Sequence, residues 1–122
     1  MKTTRTLTLL AALVLLASGP LAAQFREATT YDDGSVYSGQ RNGKGLRHGE
    51  SLMTWPSGDR YEGQFNRWHI EGEGTIRYAV NGSSYSGHWF NDVYEGRGVV
   101  TTADGTTYKG IFKAGQLVQQ DE

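Results

Sequence analysis

The sequence predicts an all-β protein, a single-layer antiparallel meander of β-hairpin repeats, preceded by a helical signal peptide. Three observations predict it. Tyr-x-Gly recurs at a nearly constant interval, the mark of a repeat architecture. Aromatic residues and glycines alternate with polar residues at period two, the spacing of one strand face. Beyond the first apolar run, no window carries the 3.6-residue apolar period of an amphipathic helix.

The N-terminal element is read first because it is set apart from the fold. "MKTTRTLTLLAALVLLASGPLAA" opens with Lys2 and Arg5, runs apolar from Leu7 to Ala17, and ends in small residues. Leu21 and Ala23 suit positions −3 and −1 of a cleavage site before Gln24. The apolar run is shorter than the ~20 residues that cross a bilayer as a helix. Residues 1–23 are therefore expected to be a secretory signal, and the mature chain to be exported, periplasmic or secreted. No cysteine is present, so packing alone must hold the exported domain. With Lys2 and Arg5 removed, 10 basic residues face 13 acidic ones, a net charge of −3. That balance lacks the basic footprint of a nucleic-acid binder.

The repeat follows. Tyr-x-Gly stands at Tyr37/Gly39, Tyr61/Gly63, Tyr85/Gly87 and Tyr108/Gly110, at intervals of 24, 24 and 23 residues. Two residues after each glycine come Arg41, Phe65, Trp89 and Phe112. Gly-x-Gly then follows at Gly72/Gly74 and Gly96/Gly98, while the first unit has Gly49 and Ser51. Each unit closes on a polar turn, "PSGD", "VNGS" or "ADGT", and "YDDGSV" before Tyr37 matches such a closing turn. Residues 24–36 are thus a half repeat, and 37–122 hold three full repeats and a truncated fourth.

Within a unit, the first strand is Tyr-x-Gly-x-aromatic, and the second runs from Gly-x-Gly through "SLMTW", "TIRY" or "VVTT". Alternation places Tyr37, Gly39, Tyr61, Gly63, Phe65, Gly72, Gly74, Tyr85, Gly87, Trp89, Gly96, Gly98, Tyr108, Gly110 and Phe112 on one packing face. Glu62, Gln64, Arg77, Ser86, His88, Thr101 and Lys109 fall on the watered face. Glycine weakens a strand interior unless its bareness is used. Here a ring from one strand can lie across the bare backbone of the next, the device called aromatic rescue. Asn81-Gly82 and Asp104-Gly105 suit tight turns with positive φ. About eight strands are expected. "AGQLVQQDE" gives a polar, cap-like finish in which Leu117 and Val118 can add a short strand.

These units resemble the MORN repeat family, whose repeat reads roughly Y-x-G-x-[WF]-x-N-G-x-x-x-G-x-G before a polar turn. The resemblance covers residues 31 to 115. It departs at Arg41, which replaces an aromatic, and at Ser51, which replaces a glycine. It implies a scaffold, a dimerisation device or a module near membrane phospholipid.

The residues themselves carry little catalytic chemistry. His48, His69 and His88 occupy unrelated places in their units and are read as solvated, not as metal ligands. Glu71 and Glu73 flank glycines and face water. No phosphate loop or nucleophile elbow is present, so no enzyme activity and no cofactor is expected. The mid-unit turns form the candidate interaction surface: Arg41, Lys44 and Arg47 in the first, Arg67, Trp68 and His69 in the second. The third turn is acidic, with Asp92, Tyr94 and Glu95. The leading reading is an exported module that binds a protein partner or itself through the ring face, with pairing expected at the N-terminal edge, Phe25 to Tyr31. Phospholipid contact through the basic and aromatic turns is the alternative, and a carbohydrate-binding module a third class.

Overall fold

A computed structural model describes residues 28–122. The signal segment and its cleavage site lie outside these residues, as do residues 24–27 of the half repeat. Nine strands follow one another: β1 (Thr29–Thr30), β2 (Val36–Arg41), β3 (Arg47–Thr54), β4 (Arg60–Asn66), β5 (His69–Arg77), β6 (Ser84–Phe90), β7 (Val93–Thr101), β8 (Thr107–Lys113) and β9 (Gln116–Gln120). They pair in chain order as one open antiparallel sheet, and no described residue is helical. The strand beyond the expected eight comes from the two ends, the two-residue β1 and the C-terminal β9.

The register shows what the repeat spacing does. Gly39 faces Ser51, Ser51 faces Gly63, and the line continues through Gly74, Gly87 and Gly98 to Gly110. A row of bare backbone thus crosses the whole sheet at right angles to the strands. Tyr37, Tyr61 and Tyr85 are buried along this row. Their hydroxyls donate to the carbonyl oxygens of Gln40, Gln64 and His88, at 2.5, 2.9 and 2.7 Å. Phe65, Trp89 and Phe112 stand edge-on between them, with centroids 5.1 to 5.5 Å apart. Each T-shaped pair adds about 0.5–1.5 kcal/mol beyond area burial. This zigzag of rings, with Met53, Ile70 and Ile76, is the core.

The ring-over-glycine contact falls on the second strand of each hairpin. A Cβ at Gly74 would run into the Tyr61 phenol, and one at Gly98 into that of Tyr85. Gly63 and Gly87 instead admit the neighbouring backbone: a Cβ at Gly87 would lie 2.5 Å from the Arg97 carbonyl oxygen and from the Gly98 Cα. Ser51 keeps the glycine place in the first unit because its hydroxyl, buried, donates to the Gly63 carbonyl at 3.0 Å.

The first glycine of Gly-x-Gly departs from simple alternation. Gly49, Gly72 and Gly96 have φ of 77°, 100° and 86°. At Gly72 a Cβ would strike the Gln64 side chain, on the face away from the rings. The cause is a bulge: two residues of β4 span Gly63 to Phe65 while four of β5 span Ile70 to Gly74. The same slip occurs at Gly39/Arg41 and Gly87/Trp89. Bulges bend a strand and increase local twist. The freed amides are met from the watered face, where Gln40 Oε1 accepts from Glu50 N at 2.9 Å and Gln64 Oε1 from Glu73 N at 2.8 Å.

Candidate interaction face

The ring face is where side chains from every repeat converge. Along one margin lie Tyr31, Trp55 and Tyr78, the residues that open the turns between units. Along the other lie the two-residue turns inside the later units, Arg67–Trp68, Asn91–Asp92 and Ala114–Gly115. These turns are tied to the preceding unit: Trp68 N donates to Arg47 O, Asp92 N to Ile70 O and Gly115 N to Tyr94 O, at 3.0 to 3.1 Å. The margins enclose two hollows of nearly equal size. The first, about 410 Å³, is lined by Tyr31, Asp33, Ser35, Arg47, Met53, Trp55 and Trp68. The second, about 390 Å³, includes Trp55, Ser57, Asp59, Ile70, Ile76, Tyr78 and Tyr94. They are repeat-related, with Trp55 as the shared wall. In the second, the Tyr78 and Tyr94 hydroxyls meet at 2.6 Å, and Tyr94 stacks flat on Tyr85 at 3.8 Å.

Of the six turn residues expected to form the interaction surface, Arg41, Arg47 and Trp68 gather around the same rings. The Arg47 guanidinium sits 4.6 Å from the Trp68 ring centre, 5.3 Å from Phe65, 5.5 Å from Tyr31 and 5.8 Å from Tyr37. Arg41 covers Tyr37 at 4.9 Å and donates to Gly45 O and Thr29 Oγ1. Trp68 stays 37% exposed beside them. Lys44 and Arg67 are exposed on their turns and make no contact with this cluster. His69 turns the other way, its Nδ1 2.8 Å from Asp92 Oδ2. The acidic third turn is used internally: Asp92 Oδ1 accepts from Ile70 N, and Glu95 Oε2 accepts from Ala114 N.

Burial acts on the ring phenols. It pushes Tyr85 up to about 12 and raises Tyr37, Tyr61 and Tyr94 as well. At the rim, the Ser35 hydroxyl and then its amide hold Asp33 below the usual carboxylate range. Glu73 is hydrogen-bonded to His88, and Glu71 accepts from Asn66 Nδ2 at 2.7 Å, so the two carboxylates engage separate partners. Among the described residues no three His, Cys, Asp or Glu side chains converge as metal ligands.

Sequence reasoning placed the packing residues on one face, with Met53 and Trp55 sharing their parity, but read Tyr31, Asp33 and Ser35 only as a closing turn. A signal was available: Tyr31, Trp55 and Tyr78 are spaced by 24 and 23 residues, like the Tyr-x-Gly tyrosines. Tyr108 is placed differently from the other three tyrosines. It is 40% exposed, and the strand beside it carries Gln120 opposite Gly110 where the other units place Gly74 or Gly98.

An open meander whose hairpins share one aromatic and glycine-lined face defines a β-hairpin repeat array. The MORN repeat model matches residues 33–51, 44–60, 61–83 and 85–107. The chain belongs to the MORN repeat family, whose units serve in general as non-catalytic modules contacting proteins or membrane phospholipid. It is 33% identical over 96 residues to alsin from mouse and from human, and 32% identical over 95 residues to rat alsin. These alignments cover 72–73% of this chain and 6% of alsin, so the chain spans a small part of those relatives. The two overlapping matches before residue 61 fall on the unit with Arg41 and Ser51, where the pattern is least regular.

Proposed function

We propose that the chain is an exported, non-enzymatic interaction module that holds a protein partner on its ring face. The observation that carries this reading is the pair of repeat-related hollows of about 400 Å³ on that face. Concave sites with aromatic walls and a few placed polar groups are where proteins bind other molecules. Exposed aromatic and arginine side chains are also the usual anchors of protein interfaces. The charged pattern at the N-terminus of the chain supports export.

The test compares wild-type mature protein with Ser57→Tyr and Trp68→Ala as baits on the extracytoplasmic fraction. Ser57→Tyr fills the second hollow without removing a packed side chain; Trp68→Ala opens the first. A partner held by the ring face is captured by wild type and lost from both variants at unchanged melting temperature. Equal capture by all three sinks the assignment of this face. Intact mass of the recovered protein tests export: retention of Met1 to Ala23 overturns it.

A further inference from the structure

The first hollow differs from its repeats in one respect. The register places Phe65 opposite Ile70, Trp89 opposite Tyr94 and Phe112 opposite Leu117. The same cross-strand pair in the first unit is Arg41 opposite Arg47. Two arginines thus replace two apolar partners at the margin of the core. Like charges directly opposite one another across a ladder are unfavourable. Neither guanidinium has a carboxylate within ion-pair distance among the described residues. The Arg47 Nε is buried without an acceptor, and Nη1 reaches only the Met53 sulfur at 3.3 Å. A buried guanidinium donor lacking an acceptor is costly. Asp33 shares the hollow, but its Oδ1 is taken by the Ser35 amide and hydroxyl at 2.8 and 2.6 Å.

We propose that this hollow is a carboxylate site, which takes an acidic side chain from an extended segment of the partner protein, with Arg47 as the receiving cation. The inference rests on the ring face being the binding face. The neighbouring hollow then sets the rest of the segment. Two strands separate equivalent points, roughly 10 Å. A segment in the polyproline II form covers about 9 Å in three residues and brings the third side chain back to the same side. The second hollow offers Ile70, Ile76, Trp89 and Tyr78 as walls. The segment therefore presents an acidic residue at one position and an apolar residue three positions on. A single carboxylate is favoured over an anionic bilayer because the rims carry Asp33, Asp59 and Asp92 and the whole chain has a net charge of −1. A surface of many anionic headgroups meets those rims unfavourably.

The probe is a blocked hexapeptide with one glutamate and, three positions on, one phenylalanine, titrated into the mature protein. The indole N–H signals of Trp55, Trp68 and Trp89 are followed by NMR. The expected result is that Trp55 and Trp68 shift and saturate, while the glutamine counterpart binds at least about tenfold more weakly, or 1.4 kcal/mol. Arg47→Leu gives the same tenfold loss and keeps or raises the melting temperature, since Leu117 already fills this place in the last unit. Equal binding of the two peptides, or unchanged binding to Arg47→Leu, overturns the proposal. So does a marked fall in its melting temperature, which makes Arg47 a packing residue. Silence toward both peptides, or a response of the same indoles to phosphatidylglycerol vesicles instead, also overturns it. A bait in which Arg47→Leu retains a partner that Ser57→Tyr loses defeats this inference and leaves the ring-face reading standing.

Discussion

A single missing Cβ decides how the rings pack. Gly63 and Gly74 face one another and share the ring side, so alternation alone marked both as packing positions. It points to Gly63, Gly87 and Gly110 as the glycines under the rings, whereas the lean of Tyr61 and Tyr85 across the ladder brings their phenols over Gly74 and Gly98. Gly74→Ala puts a methyl into that phenol, and overpacking of this kind costs about 1–3 kcal/mol. Thermal unfolding checks it, and a neutral result removes the ring-over-glycine account. Arg47 was legible as a basic turn residue and illegible as a core-margin one. Its place opposite Arg41 follows from a two-residue bulge that composition does not announce.

The tyrosine hydroxyls give the same face a pH signature. Burial raises Tyr85 to about 12 and Tyr61 and Tyr94 in the same direction. The unfolded phenols ionise near 10. The stabilising effect of these raised values is therefore complete below pH ~10. Above it the unfolded chain holds fewer protons than the folded one, so stability falls as pH rises toward the folded values. Alkaline titration followed by circular dichroism should show unfolding that begins above pH ~10. Tyr85→Phe should lose about 1 kcal/mol at neutral pH through its bond to His88 O and make the alkaline loss less steep by about one proton. An unchanged slope contradicts the assignment.

At the level of elements, the turns fall into two kinds. Those between units are three-residue loops at Trp55–Asp59 and Thr102–Thr106 and a four-residue loop at Tyr78–Ser83, and in each only the glycine, Gly58, Gly105 or Gly82, takes positive φ. Asn81-Gly82 and Asp104-Gly105 were legible as turns, but Asn81 and Asp104 keep negative φ, as a type I turn followed by a glycine bulge requires. The turns inside the three later units carry positive φ at two successive residues, including Arg67 at 45° and Trp68 at 80°. Local preference gives no hint of this for Arg-Trp. The flanking strands, matched in register on both sides, impose it. Arg67 is exposed and makes no described side-chain contact, so Arg67→Asn relieves the left-handed penalty alone. It should raise stability by about 0.5 kcal/mol, a fraction of the usual cost of that conformation, without weakening peptide binding. A decrease would mean that the guanidinium contributes something its geometry does not reveal.

For the whole molecule, a single layer has no opposite sheet to complete its core, so each repeat is finished by the next one. The fold class was legible because the period, the glycines and the rings all pointed to one face. The C-terminal edge was less so, because β9 lacks the Tyr-x-Gly pattern that marks the other repeats. β9 is the last strand of the described sheet: Leu117 packs behind Phe112, Asp121 N donates to Lys109 O, and Arg97 pairs with Asp121 at 2.9 Å. It also shields Gly110, whose absent Cβ would meet the Gln119 and Gln120 backbone. Its own outer side shows Val118, 60% exposed among glutamines, a polar edge that discourages further pairing. Removing residues 116–122 strips that edge and leaves β8 with unpaired backbone donors and Phe112 uncovered. The loss of Leu117 packing and of the last ladder should cost about 2 kcal/mol, a drop of roughly 10 °C for a domain of this size. The bare β8 edge should then pair with another chain, since an exposed strand beside apolar rings templates association. Sedimentation velocity over a range of concentrations reads this out: the truncated chain should associate as concentration rises, well beyond the chain that keeps residues 116–122. A truncated chain that melts as before and stays as dispersed as the untruncated one would show that the eighth strand ends the sheet without help.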